Sequence, residues 1–240
     1  MNEEYLVPKY FQIANEIISG IKTNKSKPGD QIPSENDIIS QYQVSNTTAR
    51  KVLLEIEKEG WVIKVKGKGT FVKENPISRS ATKILSFTKN MKQIGLTPST
   101  QLIDSMIIHQ PLMKTISRRN YTLQPPIYKI TRLRFANGIP VMKEDRFISM
   151  RYCPGIENIN MEQPLYDIYK DSYDLQIKQI DQVISAIIIN KELCRLFNVK
   201  SRIPGFAVEG VTFCGNEMIL EMEESIYRGD KYKFTVQATP

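Results

Sequence analysis

A chain of 240 residues with 41% hydrophobic content is long enough for two ordinary domains, each with its own core, which excludes a disordered chain as the default. The longest apolar run, residues 183–189, is too short to span a bilayer, and the first five residues, with Glu3 and Glu4, lack the basic start and apolar middle of a secretory leader. A cytoplasmic protein with no membrane partner is expected. The three cysteines, Cys153, Cys194 and Cys214, are scattered and show no paired ligand spacing, and His109 stands alone, so no disulfide framework, metal site or cofactor is expected.

The net charge of +7 suits a nucleic-acid partner, but residues 1–75 carry eleven Lys and Arg against ten Asp and Glu, so most of the excess lies elsewhere. What marks the N-terminal part is local: Lys64, Lys66, Lys68 and Lys73 fall within ten residues that contain no acid, a pattern that fits either DNA contact or a solvated hairpin.

In chain order, Tyr10, Ile13, Ala14, Ile17 and Ile21 recur at helical spacing and predict a first amphipathic helix. Pro28 and Gly29 punctuate a polar break. Ser34 then precedes Glu35, Asn36 and Asp37, an N-cap followed by an acidic first turn, and predicts a short second helix ending near Tyr42. Ser45 is a second N-cap, and Ala49, Val52, Leu53 and Ile56 form the inner stripe of a third helix that Gly60 stops. Residues 61–65 and 70–72, joined by Lys66-Gly67-Lys68-Gly69, predict a hairpin. Helix, helix, turn, helix and hairpin make a winged helix-turn-helix.

With the apolar stripe of the third helix turned inward, Asn46, Thr47, Arg50 and Lys51 project outward at the helix start that enters a major groove. Asn46 and Arg50 suit base edges. Ser45, Thr47 and Thr48 suit phosphate, Ser34 and Glu35 at the start of the second helix are further DNA-binding candidates, and Lys66, Lys68, Gly69 and Thr70 form the wing expected along the duplex. A protein-binding three-helix module is the competing use of this fold.

Residues 75–81 lack periodicity and carry a proline, so a linker is placed there between domains at 1–74 and 82–240. Beyond it, residues 86–94 look helical, as do 165–170 and 191–197. Strands are predicted at 102–109, 127–135, 141–148, 176–189, 208–213, 218–227 and 232–237, several joined by short turns, of which Asn137-Gly138 is the clearest hairpin signal. An antiparallel sheet with flanking helices follows, so the chain is α+β.

Arg132 and Arg134 leave one face of their strand, where they either grip a phosphate or carboxylate or coat a solvated face. A two-residue turn at Asn137-Gly138 would put Glu144 on the opposite face; a three-residue loop, residues 136–138, would return it to the arginines, and a shared pocket requires that second register. Glu221, Glu223, Ser225 and Tyr227 line the polar face of a later strand, fit for sugar hydroxyls, amides or water. No convincing general acid, base or nucleophile is assembled, which argues against an enzyme.

The N-terminal part is similar to the GntR family of bacterial regulators, on Pro8, Tyr10, Gln12, Ile13, Pro28-Gly29, Pro33-Ser34-Glu35, Val44-Ser45, Thr48-Ala49-Arg50, Glu59-Gly60 and Gly67-Lys68-Gly69-Thr70-Phe71-Val72. Asn46 departs from it, standing where many members carry arginine. The C-terminal part resembles the effector-sensing UTRA domain of the HutC-type branch, with a chorismate-lyase-like fold. That resemblance rests on Ser86-Phe87-Thr88, residues 95–99, Arg132-Leu133-Arg134, Asn137-Gly138-Ile139-Pro140 and residues 227–232. It implies a homodimeric repressor on a palindromic operator in double-stranded DNA, controlled by a small anionic effector such as a sugar or amino-sugar phosphate. It further implies ligand contacts from Thr88, Arg132, Arg134, Glu144, Tyr166, Glu221 and Tyr227. Pro164 departs, occupying the place where phosphosugar sensors often present a serine. A lyase-like enzyme built on the second domain is the alternative from another class.

Overall fold

The computed structural model describes residues 7–23, 25–73, 77–82 and 84–237 and divides the chain into two compact units, residues 1–75 and 76–240. In the first unit, α1 (Lys9–Lys22), α2 (Glu35–Tyr42) and α3 (Asn46–Lys58) precede the hairpin of β1 (Val62–Val65) and β2 (Gly69–Val72). Ile13, Ala14, Ile18, Ile38, Ala49, Val52 and Ile56, the inner stripes of the three helices, meet Val62 and Val72 of the hairpin in one core. The Ser34 hydroxyl accepts from the Asp37 amide while the Asp37 carboxylate accepts from the Ser34 amide at 2.8 Å, so the start of α2 is capped reciprocally. Ser45 caps α3 by accepting from the Thr48 amide at 3.2 Å, and Gln43 in the left-handed region turns the chain between the two helices.

The second unit is built on a six-stranded antiparallel sheet ordered β4-β7-β8-β11-β10-β9. Its strands are β4 (Pro98–Ile108), β7 (Ile127–Ala136), β8 (Ile139–Ser149), β9 (Gln179–Ile188), β10 (Pro204–Gly215) and β11 (Met218–Arg228). Elements pack on both faces of its central strands, while the edge strands β4 and β9 stay largely exposed. On one, Met91 of α4 (Phe87–Gln93) and Leu165, Ile168 and Tyr169 of α5 (Leu165–Tyr173) pack among sheet residues such as Ala136, Met142, Ile130 and Ile148. On the other, a small hairpin of β5 (Leu112–Ile116) and β6 (Arg119–Leu123) packs on Phe147, Val211 and Met222, and α6 (Lys191–Leu196) packs on Leu133 and Ile189.

Two elements depart from the sequence expectations. Residues 77–80, placed in the linker, form a strand, β3 (Ile77–Ser80), paired in parallel with β12 (Tyr232–Thr235), and the Ala81 amide still bonds the Thr235 carbonyl at 2.9 Å. The pairing partner lies more than 150 residues away, so no local pattern announces it; residues 75 and 76 of the predicted linker lie outside the described residues. The β5–β6 hairpin was likewise unpredicted because its turn is Ser117-Arg118, at φ 48° and 68°, where Asn-Gly would be the usual signal.

The Asn137-Gly138 turn combines the two registers expected. It is a two-residue turn, Ala136 pairing with Ile139, with both central residues at positive φ. A bulge then leaves Val141 unpaired between Pro140 and Met142, and past it Arg132 faces Glu144. The extra residue that returns Glu144 to the arginine face thus sits inside β8 rather than in the loop.

Candidate functional site

On the first unit, Asn46, Thr47, Arg50 and Lys51 all lie exposed along the N-terminal half of α3 while Ala49, Val52 and Ile56 are sealed beneath them. Arg50 is steadied by α2: its Nε donates to Glu35 Oε2 at 3.0 Å, with 65% of the arginine side chain still exposed. Glu35, expected as a DNA-facing residue, therefore serves Arg50. Lys51 lies over the Tyr10 ring at 5.9 Å. Ser34, Ser45 and Thr48 spend hydroxyl or backbone groups on the two caps.

At the wing, Lys66 and Lys68 are exposed. Thr70 corrects the sequence expectation: it is buried on the inner side of the hairpin, with its carbonyl bonded to the Ile32 amide, and offers no side chain to a duplex. Gly69 has a conformational reason of its own, since at φ +123° a Cβ would fall 2.4 Å from Gln31 Nε2.

On the second unit, the alternation of β7, β8 and β11 carries Arg132, Arg134, Glu144, Arg146, Glu221 and Glu223 to one sheet face, each 6% exposed or less. Glu144 is the hub. One of its oxygens accepts from Arg134 at 2.8 Å and from Arg132; the other accepts from Arg146 Nε at 3.2 Å and Nη2 at 3.1 Å. Burial alone would raise the Glu144 carboxyl, but Arg132, Arg134 and Arg146 outweigh it and hold it far below the usual carboxylate range. Burial lowers the Arg134 guanidinium to about 10 despite Glu144.

Arg146 also donates to Glu221 at 2.8 Å and to Glu223 at 2.6 Å. Glu221 additionally accepts from the Tyr169 hydroxyl at 2.5 Å, and its carboxyl is nevertheless pushed upward by burial. Sequence reading missed Arg146 and Tyr169; the alternation that pairs Arg132 with Arg134 also pairs Glu144 with Arg146, a signal that was there to use.

These residues wall a cavity of about 20 Å³ lined by Arg132, Arg134, Glu144, Arg146, Tyr166 and, from the segments that close over it, Arg79 and Phe87. Thr88 joins at its margin, accepting from Arg134 Nη2 at 3.4 Å, and the Arg134 guanidinium lies 4.4 Å from the centre of the Phe87 ring. Arg132 is held from behind by the Met161 and Gln163 carbonyls at 2.8 and 3.1 Å. Two expected ligand contacts stand back from the cavity: Glu221 lies behind Arg146, and Tyr227 lies under Arg79, whose guanidinium donates to its hydroxyl. Pro164 lines the cavity as the N-cap of α5 and makes no side-chain cap bond. Among the described residues no group of His, Cys, Asp and Glu is spaced to hold a metal, Cys153 and Cys194 are buried, and no helix is long and apolar enough to cross a membrane.

Residues 9–72 match the family described as bacterial regulatory proteins, gntR family, and residues 93–233 match the UTRA domain. The chain is 28% identical over 236 residues to the HTH-type transcriptional repressor NagR of Bacillus subtilis (strain 168), covering 98% of this chain and 96% of that one. It is 25% identical over 239 residues to the mannosyl-D-glycerate transport/metabolism system repressor MngR of Escherichia coli (strain K12), covering 96% of each. The crystal structure of PhnF from Mycobacterium smegmatis shares the fold, with a TM-score of 0.70 at 21% identity over 95% of this chain and 99% of that one. A capped helix-turn-helix with an exposed recognition helix, followed by a sheet with a buried arginine-lined cavity, thus belongs to the gntR family of bacterial regulatory proteins, and the chain is a DNA-binding transcriptional regulator with a UTRA domain.

Proposed function

We propose that the chain is a homodimeric repressor of a sugar or amino-sugar utilisation operon, released from a palindromic operator by a small anion of the phosphorylated-sugar class. The observation that carries this reading is the convergence of Arg132, Arg134 and Arg146 on one buried cavity in which only Glu144 contributes a carboxylate to the lining. Guanidinium forks suit phosphate and carboxylate oxygens, and their removal from water makes each contact stronger. The names of the relatives, repressors of NagR and MngR type, support the same use.

Asn46 and Arg50 are the proposed base-reading side chains; Ser34, Ser45, Thr47, Thr48, Lys51, Lys66, Lys68 and Gly69 are the proposed backbone-facing set. Ligand contacts are assigned to Arg132, Arg134, Glu144, Tyr166 and Thr88. A cavity of about 20 Å³ is far smaller than the roughly 300 Å³ or more typical of a small-molecule pocket, so binding requires Arg79, Phe87 and the turn at Pro164 to Tyr166 to separate from the sheet. A ligand that stabilises this opened form shifts the operator affinity by its differential affinity for the two forms.

The test is selection of operator sequences from a random duplex pool by the full chain, followed by retention assays with a panel of sugar phosphates, amino-sugar phosphates and small carboxylates. A selected inverted repeat, and one panel member that lowers retention at least tenfold, is the expected outcome. Failure to enrich any sequence, or equal retention with every panel member, overturns it.

A further inference from the structure

We propose that Arg79, carried on the first strand of the second unit, is a ligand-binding residue of this cavity and makes it selective for a doubly charged phosphate monoester over a singly charged carboxylate. The inference rests on the effector reading above and adds a residue and a charge preference to it.

Arg79 sits on β3, which is anchored by its pairing with β12 and by the buried Ile77. Its side chain reaches over the sheet, donates to the Tyr227 hydroxyl, and places its guanidinium 5.3 Å from the centre of that ring. It lines the same cavity as Arg132, Arg134 and Glu144. The groups facing it are the phenols of Tyr227, Tyr166 and Tyr232 and, across the neighbouring larger cavity, Arg119 and the carboxylate of Asp181, which accepts from Tyr121 and Gln179. Among the described residues no carboxylate forms an ion pair with Arg79, whereas Arg132, Arg134 and Arg146 are all tied to Glu144, Glu221 and Glu223.

Three arginines against three glutamates leave the buried cluster neutral, and Arg79 adds a cation without an ion-pair contact at its wall. A second observation points to an absent partner: Arg132 Nε and Arg134 Nε are buried donors with no hydrogen-bond acceptor. An incoming anion therefore meets a cation that has no carboxylate partner among the described residues, in a cavity whose Arg132 and Arg134 each keep one buried donor unmatched. A dianion satisfies this set more fully than a carboxylate, which carries one charge and one pair of oxygens.

Arg79 also stands between this cavity and a larger one of about 450 Å³, lined with it by Ser80, Thr82, Arg119, Tyr121 and Asp181. Displacement of the guanidinium from Tyr227 toward an anion would join the charged cavity to a space large enough for a sugar body. Because β3 is the first element of the second unit, the residue that meets the anion lies on the segment leading back to the DNA-reading unit.

The experiment is calorimetric titration of the full chain, as parent, Arg79→Gln, Arg79→Lys and Arg132→Ala, with glucosamine 6-phosphate and with glucuronate at matched ionic strength. The parent is expected to bind the phosphate more tightly than the carboxylate, and to tighten between pH 5.5 and 7.5 as the phosphate loses its second proton near pH 6. Arg79→Gln is expected to weaken the phosphate by about tenfold to a hundredfold, the loss of one charge-assisted contact, and to flatten the pH dependence; Arg79→Lys recovers most of both. A purely structural role would leave the pH dependence intact. Should Arg79→Gln not fold, Arg79→Met, neutral and similar in length, takes its place. If the parent binds phosphate and Arg132→Ala abolishes it while the Arg79 variants stay within twofold with an unchanged pH profile, this inference fails and the effector reading stands. If the parent binds neither probe, both fail.

Discussion

Glu144→Gln isolates the role of the hub carboxylate. The substitution keeps the shape of the side chain and one acceptor oxygen but removes the only negative charge touching Arg132 and Arg134. Arg146 keeps Glu221 and Glu223, so two of the three arginines lose their counter-charge at a site where Glu144 itself is 1% exposed. Stripping one partner from a buried ion pair costs about 3–5 kcal/mol, because the remaining charge stays desolvated without compensation. For a unit of this size that corresponds to a fall of roughly 6–20 °C in unfolding midpoint, at about 2–4 °C per kcal/mol. Calorimetric scans of the full chain in chloride buffer would measure it, and the change should appear only in the transition of the second unit. The same variant should gain more from added phosphate than the parent, since an anion can now occupy the position of the lost charge; at a hundred times its dissociation constant a ligand returns about 2.7 kcal/mol. A loss below about 1 kcal/mol, or equal gains from phosphate in parent and variant, would refute the view that Glu144 holds the arginines in place of an anion.

Arg50→Ala is expected to weaken operator retention by about fivefold to 150-fold, the worth of one bidentate base contact, whereas Glu35→Ala, which only frees Arg50 from an exposed ion pair, should leave retention within about threefold. Loss of Lys66 or Lys68 should lower affinity similarly on all sequences and reduce the slope of log affinity against log salt by about one per lysine. Gly69→Ala forces a side chain into φ +123° and against the Gln31 amide, so the unfolding midpoint of the first unit should fall by the equivalent of roughly 1–3 kcal/mol; adding Gln31→Ala should recover only the contact and not the backbone strain. In acid, Glu144 and Asp37, both held below their usual values, bind protons in the unfolded chain before they do in the folded one. Stability in urea melts should therefore fall as pH drops below about 4.5, and less steeply in Glu144→Gln. Glu221 has the opposite sign: raised by burial, it makes stability decline as pH climbs above the ordinary carboxylate range, and Glu221→Gln should remove that decline.

The winged helix-turn-helix was legible in the sequence because each of its determinants is local. Ser34 and Ser45 cap helices within three residues of themselves, Ala49, Val52 and Ile56 repeat at the helical period, and Gly67 and Gly69 mark the wing. Outward placement of Asn46, Thr47 and Arg50 follows from the same period, since burying one stripe exposes the other. The strands of the six-stranded sheet were legible for the equivalent reason, as was the common face of Arg132 and Arg134. What only the tertiary structure decided are the relations between distant segments. The bulge at Val141 brings Glu144 to the arginines, β3 pairs with β12 across most of the second unit, Arg79 comes to rest on Tyr227, and Glu221 withdraws behind Arg146. A period-two pattern specifies which face a side chain leaves but not the register between strands, and a buried charge takes its partner from whichever segment the packing places beside it.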